Sequence, residues 1–417
     1  MQLTVKIKGS FKIAILLLFS IITSGYGLYK LYKYIYYRSA IYGNEQKQKD
    51  NLDLKITVLA NDPSQKGYLL FTTITSYRRK NYSSLVITDL FGKILMQRKL
   101  NGIAYDFRQW RNDGNTCYSY AINEQPTDST AAFKGSSGHI VILDSTLKEV
   151  KQVHLKSFDG VTATNDQDLD LHDFIMVSRD HFITMASVLK SADNIPVCLS
   201  PAPGCRIIAP VIQETRNDSV IWQWDASKYQ EFYLSSTAGN KFYDTTHPQD
   251  YIHMNSMVID PKDSNLIVSF LNQNQVLKID RHTGNILWRL GGCNSDFSLV
   301  VGQAFIKQHH ATLVDAKGTL VLLDNGDKDI RPYSRVIEFR LNEKNRAIDS
   351  FKSFNIPMQM AGSRGSVQKV GSNYLICGGI SNYLLIIDPG SGIKKMELKA
   401  NQNFYRVYVT KSIPGIR

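Results

Sequence analysis

One short hairpin pattern recurs six times in this chain of 417 residues, and a single uncharged apolar run lies near its start. Together they predict an all-β fold, a six-bladed β-propeller preceded by an N-terminal transmembrane helix. The copies are an apolar strand, a turn rich in Gly, Asn or Asp, and a second alternating strand, at residues 86–95, 141–150, 211–222, 276–288, 336–348 and 385–393. Their starts are 49 to 70 residues apart, enough for four strands and their loops. A pair of β-sandwiches would have no reason to repeat one hairpin six times.

The first element is the apolar run. Ile13 to Tyr29 is 17 residues without a charge, the short end of what spans a bilayer as a helix. No small-x-small cleavage site follows, and the tyrosines from Tyr26 to Tyr37 read as an interfacial belt, so residues 1–37 are expected to be a signal anchor rather than a cleaved signal. Lys6, Lys8 and Lys12 face Lys30, Lys33 and Arg38 across the span, so charge alone does not orient it. Residues 38–52 are polar and read as a linker, and residues 53–417 as the propeller.

Composition narrows the classes. With 43% hydrophobic and 11% aromatic residues the chain is no disordered polypeptide. The net charge of +12 is spread without a run of five basic residues, which argues against nucleic acid as a partner. Five cysteines are present, none in a CxxC, which argues against a cysteine zinc site. Cys198 and Cys205 flank a tight Pro/Gly loop that either closes a disulfide, as in an oxidising compartment, or carries two unrelated thiols.

In a propeller the segment after each hairpin drops into the innermost strand of the next blade, whose first residues sit at the mouth of the central channel. Those segments begin Ala104-Tyr105-Asp106, Leu171-His172-Asp173, Ile252-His253-Met254-Asn255, Gln308-His309-His310 and Ser363-Arg364-Gly365. Imidazoles and a guanidinium gathered there make an anion site. A lone His at a strand start is usually structural, and His139, His154, His181, His247 and His282 read so; His172, His253 and His309 share a phase within the repeat. Three His also suit zinc or copper, but no HExxH and no carboxylate-rich set accompanies them, so no metal is expected.

In order along the chain stand His172-Asp173-Phe174, His253-Met254-Asn255-Ser256, Lys278-Ile279-Asp280, Thr283-Gly284-Asn285-Ile286-Leu287-Trp288, Leu290-Gly291-Gly292, Gln308-His309 with Ala311, Asp324-Asn325-Gly326 and Tyr333-Ser334-Arg335. This set resembles the bacterial aryl-sulfate sulfotransferases that use no nucleotide sulfate donor, over roughly residues 165–417. The resemblance implies a six-bladed propeller that moves a sulfuryl group from an aryl sulfate to a phenol through a sulfated histidine. It puts that histidine at His309 and gives His172, His253 and Asn255 the sulfuryl oxygens or the protons. His310 stands where the family more often has an acidic or small residue, and it is carried as a substrate-binding candidate. The implied partners are the two small molecules and, through the anchor, a membrane; no cofactor is implied, and the globule is expected to face the periplasm or cell exterior.

One departure matters. The family's Ser-x-Arg-x-x-Asn stands here as Ser269-Phe270-Leu271-Asn272-Gln273-Asn274. Losing one aimed cation costs a few kcal/mol, about a hundredfold in rate, so activity is expected to be reduced or lost unless Arg364 or Arg335 substitutes. The chemistry suits the residues in itself. A neutral imidazole can carry the group covalently, a second histidine can move the phenol proton, and Tyr and Phe around the channel can stack on aryl rings. Donor and acceptor would share one site, hence ping-pong kinetics. Two other classes compete: a non-catalytic membrane-anchored propeller that binds an anionic ligand or a protein, and a metal-dependent propeller hydrolase.

Overall fold

The structure is a computed structural model that describes residues 52–77, 80–112, 114–124, 137–164, 168–357 and 360–414. Contacts divide the chain into residues 1–53 with 76–79 and residues 54–75 with 80–417, and the hydrophobic core lies in the second unit. The expected anchor at 1–37 and linker at 38–52, Leu52 excepted, lie outside the described residues. Among the described residues no helix is long and apolar enough to cross a membrane.

The second unit is all-β and propeller-like. After β1 (Ile56–Asn61) come β2 (Tyr68–Tyr77), β3 (Lys80–Asp89) and β4 (Ile94–Asn101). A meander follows in β5 (Ile103–Asn112), β6 (Asn115–Asn123), β7 (Ser137–Leu143) and β8 (Glu149–Val153). The next is β9 (Leu169–Ser178), β10 (His181–Ser191), β11 (Arg206–Arg216) and β12 (Ser219–Asp225). Then come β13 (Met254–Ile259), β14 (Leu266–Phe270), β15 (Gln275–Ile279) and β16 (Ile286–Gly291), and β17 (Gln308–Leu313), β18 (Thr319–Asp324), β19 (Arg335–Asn342) and β20 (Ala347–Asn355). The last are β21 (Ser366–Val370), β22 (Asn373–Cys377), β23 (Tyr383–Ile387), β24 (Lys394–Ala400) and β25 (Asn403–Thr410).

β13 to β16 and β17 to β20 each form a four-stranded sheet, and β25 joins β2, β3 and β4 in another. β21 to β24 form a sheet whose outer edge is covered by β1. β5 to β12 form one eight-stranded sheet, two meanders joined, among the described residues, where Ser137 and Gly138 of β7 pair with Asp170 and Leu169 of β9. All six expected hairpins are present, as the third and fourth strands of these runs. An aspartate repeatedly starts the turn: the Oδ1 atoms of Asp89, Asp144, Asp280 and Asp388 each accept two backbone N–H groups of their own turn. Middle strands such as β14, β18 and β23 are buried along their whole length, whereas the outermost β20 is largely exposed. That is what sheets packed face to face require, each buried Leu or Ile contributing roughly 1.5–3 kcal/mol.

The first strands form a closed ring: β5 lies against β25 and β9, β9 against β13, β13 against β17, β17 against β21, and β21 against β25. In five of the six the register slips near the start, between Tyr105 and Arg108, opposite Thr184 to Ala186, between Met254 and Ser256, between His309 and Thr312, and opposite Phe71 to Thr73. Such bulges turn side chains that would alternate toward the same side. Cys198 and Cys205, the pair flanking the Pro/Gly loop, are free thiols, the first exposed and the second buried.

Candidate active site

The first strands bring Tyr105, His172, His253, His309, Arg364 and Tyr405 together. The His172 ring centroid is 4.9 Å from His253, 6.2 Å from His309 and 6.0 Å from Tyr105. Tyr405 stacks on Tyr105 at 4.0 Å and meets His309 at 5.8 Å, and the Arg364 guanidinium lies 5.5 Å above the Tyr105 ring. Sequence reasoning had five of these places; Tyr405 is the sixth, on the closing strand β25.

The three histidines commit Nδ1 in two ways, one to a carbonyl and two to carboxylates. His309 is buried, and its Nδ1 lies 2.7 Å from the Gly365 carbonyl. A carbonyl only accepts, so Nδ1 carries the hydrogen and Nε2 keeps the lone pair. Burial, then the charge of Arg406 and of His172, hold His309 well below the usual histidine range, against the pull of that hydrogen bond. The nitrogen left for chemistry is therefore the neutral ring's Nε2, which has no partner among the described residues. His172 places Nδ1 2.5 Å from Asp170, whose other oxygen accepts from the Ser187 hydroxyl, also at 2.5 Å. His253, about a third exposed at 31%, places Nδ1 2.6 Å from Asp250. Burial works against its charge, but the Asp250 carboxylate, by field and hydrogen bond, outweighs it with help from Asp170 and raises the histidine above its ordinary value. Two aspartate-backed imidazoles thus accompany a neutral one.

A charged layer backs this group. Arg406 is wholly buried; it reaches Asp106 at 3.2 Å and Asp173 at 3.1 Å and donates to the Asn255 carbonyl at 2.6 Å. Arg108 bonds both aspartates in turn, and the Tyr408 hydroxyl donates to Asp106. His310, predicted to touch substrate, belongs to this layer: its Nδ1 donates to the Val367 carbonyl at 3.1 Å and its ring meets Tyr408. Burial, then Arg406 and Arg108, hold it well below the usual range. Asn255 is fully buried, its amide donating to the Gln308 carbonyl at 2.8 Å, its Oδ1 without a partner. Leu271 heads a short turn, Leu271–Gln273, and its N–H donates to the His253 carbonyl at 3.0 Å. The family's arginine position therefore adjoins His253.

The family model described as Arylsulfotransferase (ASST) matches residues 62–414. The chain belongs to the arylsulfotransferase (ASST) family. At family level it is an aryl sulfotransferase that uses no nucleotide sulfate donor, acting on an aryl sulfate and a phenol. No curated protein matches it. Among solved structures it is similar to a protein of unknown function from Bacteroides caccae at 9% identity, covering 84% of this chain and 100% of that one, TM-score 0.47. It is also similar to the β-propeller domain of Cps50 (Swd1) from Myceliophteria thermophila, at 13% identity, 82% and 88% coverage and TM-score 0.39. A third is a catalytically inactive virginiamycin B lyase from Staphylococcus aureus, at 12% identity, 82% and 88% coverage and TM-score 0.35.

The two arginines expected to stand in for the arylsulfotransferase cation differ. Arg335 is spent elsewhere: its nitrogens bond Asp324 at 2.8 Å, the Gly302 carbonyl at 2.7 Å and the Ala304 carbonyl at 2.5 Å. Arg364 lies over Tyr105, and its buried Nη1 has no hydrogen-bond partner. Among the described residues one group of three carboxylates, Asp260, Asp263 and Glu343, has the spacing of a metal site. The Lys278 ammonium stands among all three at 2.7–2.8 Å, and Lys262 reaches Asp260 at 3.5 Å and Glu343 at 2.6 Å, so lysines already pair with these carboxylates. Sequence reasoning missed Asp170, Asp250, Tyr405 and Arg406. Asp170-x-His172 was readable, because residues two apart on a strand share a face.

Proposed function

We propose that this chain, a six-bladed propeller if the eight-stranded sheet counts as two blades, transfers a sulfuryl group from an aryl sulfate to a phenol through His309. The observation that carries the reading is the His309 ring, kept neutral with Nδ1 on the Gly365 carbonyl and Nε2 open. Nε2 attacks sulfur, an N–S bond forms, the S–O bond to the aryl group breaks, and the aryl oxide takes a proton from an aspartate-backed imidazole. The acceptor phenol then returns that proton to the imidazole as its oxygen displaces His309 from sulfur. Arg364 through Nη1 and the amide of Asn255 are the donors assigned to the sulfuryl oxygens. Tyr105 and Tyr405 form an aromatic wall, and Arg335 is a structural residue of this reading.

The test is the full chain with an aryl sulfate whose phenolate is coloured, with and without a phenol. Acceptor-dependent release, and a sulfuryl group on the His309 peptide when acceptor is withheld, are expected. Release indifferent to acceptor would make it a hydrolase, to be checked with a chelator, and no release from folded protein would favour a propeller that only binds its anion. Leu271→Arg should raise kcat about 10- to 100-fold by restoring a cation beside His253; an unchanged kcat would mean that the sulfuryl charge is already matched. Residues 1–37 complete the proposal as an uncleaved anchor that holds the globule on the periplasmic or outer face, supported by the 17 uncharged residues from Ile13 to Tyr29. Release of the chain from membranes by high salt would argue against it.

A further inference from the structure

Four hydrogen bonds fasten the turn Leu271–Gln273 to residues 250–253. Asn272 Nδ2 donates to the Asp250 carbonyl, Gln273 Nε2 to that of Tyr251, the Asn272 N–H to that of Ile252 and the Leu271 N–H to that of His253. His253 itself stands at φ +54°, a left-handed conformation that a residue with a Cβ adopts at a cost of roughly 1–2 kcal/mol. A segment so fixed holds the Asp250 carboxylate 2.6 Å from His253 Nδ1 and leaves Nε2 for substrate.

We propose that Asp250 is a positioning residue for sulfuryl transfer: it holds His253 doubly protonated, so that Nε2–H supplies, beside Leu271, the positive charge and the proton that the departing aryl oxide needs. The inference rests on the sulfuryl-transfer reading. The titratable groups that face His253 are Asp250 from its own segment and Asp170 and His172 from β9, while the turn packed on it from β14 brings only Leu271 and Asn272. The carboxylates of Asp250 and Asp170 favour a proton on the ring and outweigh burial, consistent with its raised affinity. In the first half-reaction the N–S bond forms at His309, the S–O bond breaks, and the Nε2 proton of His253 goes to the aryl oxygen. In the second, the phenol proton goes to Nε2 as its oxygen bonds sulfur and the N–S bond breaks, and the cycle closes with no outside reagent.

Asp250→Asn keeps an oxygen for Nδ1–H and the backbone carbonyl for Asn272, so orientation survives while the charge is lost. Three readouts on the full chain test the idea. The His253 resonance, titrated by NMR, should lose a proton about 1 pH unit lower in Asp250→Asn than in wild type. The alkaline limb of kcat/KM should shift down with it. Turnover of aryl sulfates with weakly acidic phenols should fall about 10²-fold, and that of sulfates with strongly acidic phenols, which leave unaided, far less. Asp250→Glu should recover part of the loss. Equal titration of His253 in both proteins would overturn the proposal, as would a loss independent of the leaving group. If His253 titrates as expected but wild type turns over no aryl sulfate, sulfuryl transfer fails while the hold of Asp250 on the proton stands. Should Asp250→Asn not fold, the wild-type titration and Asp250→Glu decide by themselves.

Discussion

Replacing His309 with alanine should remove acceptor-dependent phenolate release almost entirely, with kcat/KM lower by on the order of 10⁴-fold or more. The loss is large because no other group in the site is poised as this one is. His172 and His253 have Nδ1 on carboxylates, and against burial Asp250 raises His253 above its ordinary value, whereas the His309 partner is a carbonyl, and burial followed by the Arg406 charge keeps that ring neutral. His310→Ala should cost far less in rate, since that ring lies against Tyr408 in the charged layer. Should the two variants exchange ranks, the nucleophile is His310. The pH profile of wild type gives a second check. A histidine held well below its usual range stays neutral as pH falls past about 6.5. The acid limb should therefore lie well below that value, and activity should decline only as pH drops through the lowered value. The Asp250–His253 pair sets the opposite limb, where activity is lost as pH rises through the raised value.

Most of the sheet architecture was legible because it is local. Each hairpin pairs residues close in sequence, and an aspartate at the turn closes it with its own backbone. The strands that were missed pair across the chain instead: β1 with β24, and β25 with β2, partners that no local period reveals. The histidines were legible for a related reason, since a repeat that places one first strand at the ring places them all. Arg335 failed that rule. It opens a third strand, so its phase points between sheets toward Asp324 rather than toward the ring. The residues that tune the histidines were hidden by distance: Arg406 meets Asp106 and Asp173 only when the last strand has closed the first sheet.

Replacing Arg406 with methionine should destabilise the protein by about 3–5 kcal/mol, the cost of leaving buried carboxylates without one of their cations. The guanidinium reaches from β25 to Asp106 on β5, Asp173 on β9 and the Asn255 carbonyl on β13, so one side chain ties the closing strand to three others of the ring. Denaturant unfolding measures the loss. Because the penalty lies in the stranded carboxylates, adding Asp106→Asn to the variant should cost less than the same change in wild type, a coupling that a double-mutant cycle reads directly. The same substitution should reach the chemistry. Arg406 is, after burial, the main influence holding His309 and His310 below their usual range, so its removal lets both rise. A folded Arg406→Met protein should then lose activity at a higher pH on the acid side than wild type, with its alkaline limb unmoved. An acid limb that stays in place would mean that burial alone keeps the nucleophile neutral. Arg406 would then serve the ring strands and not the reaction.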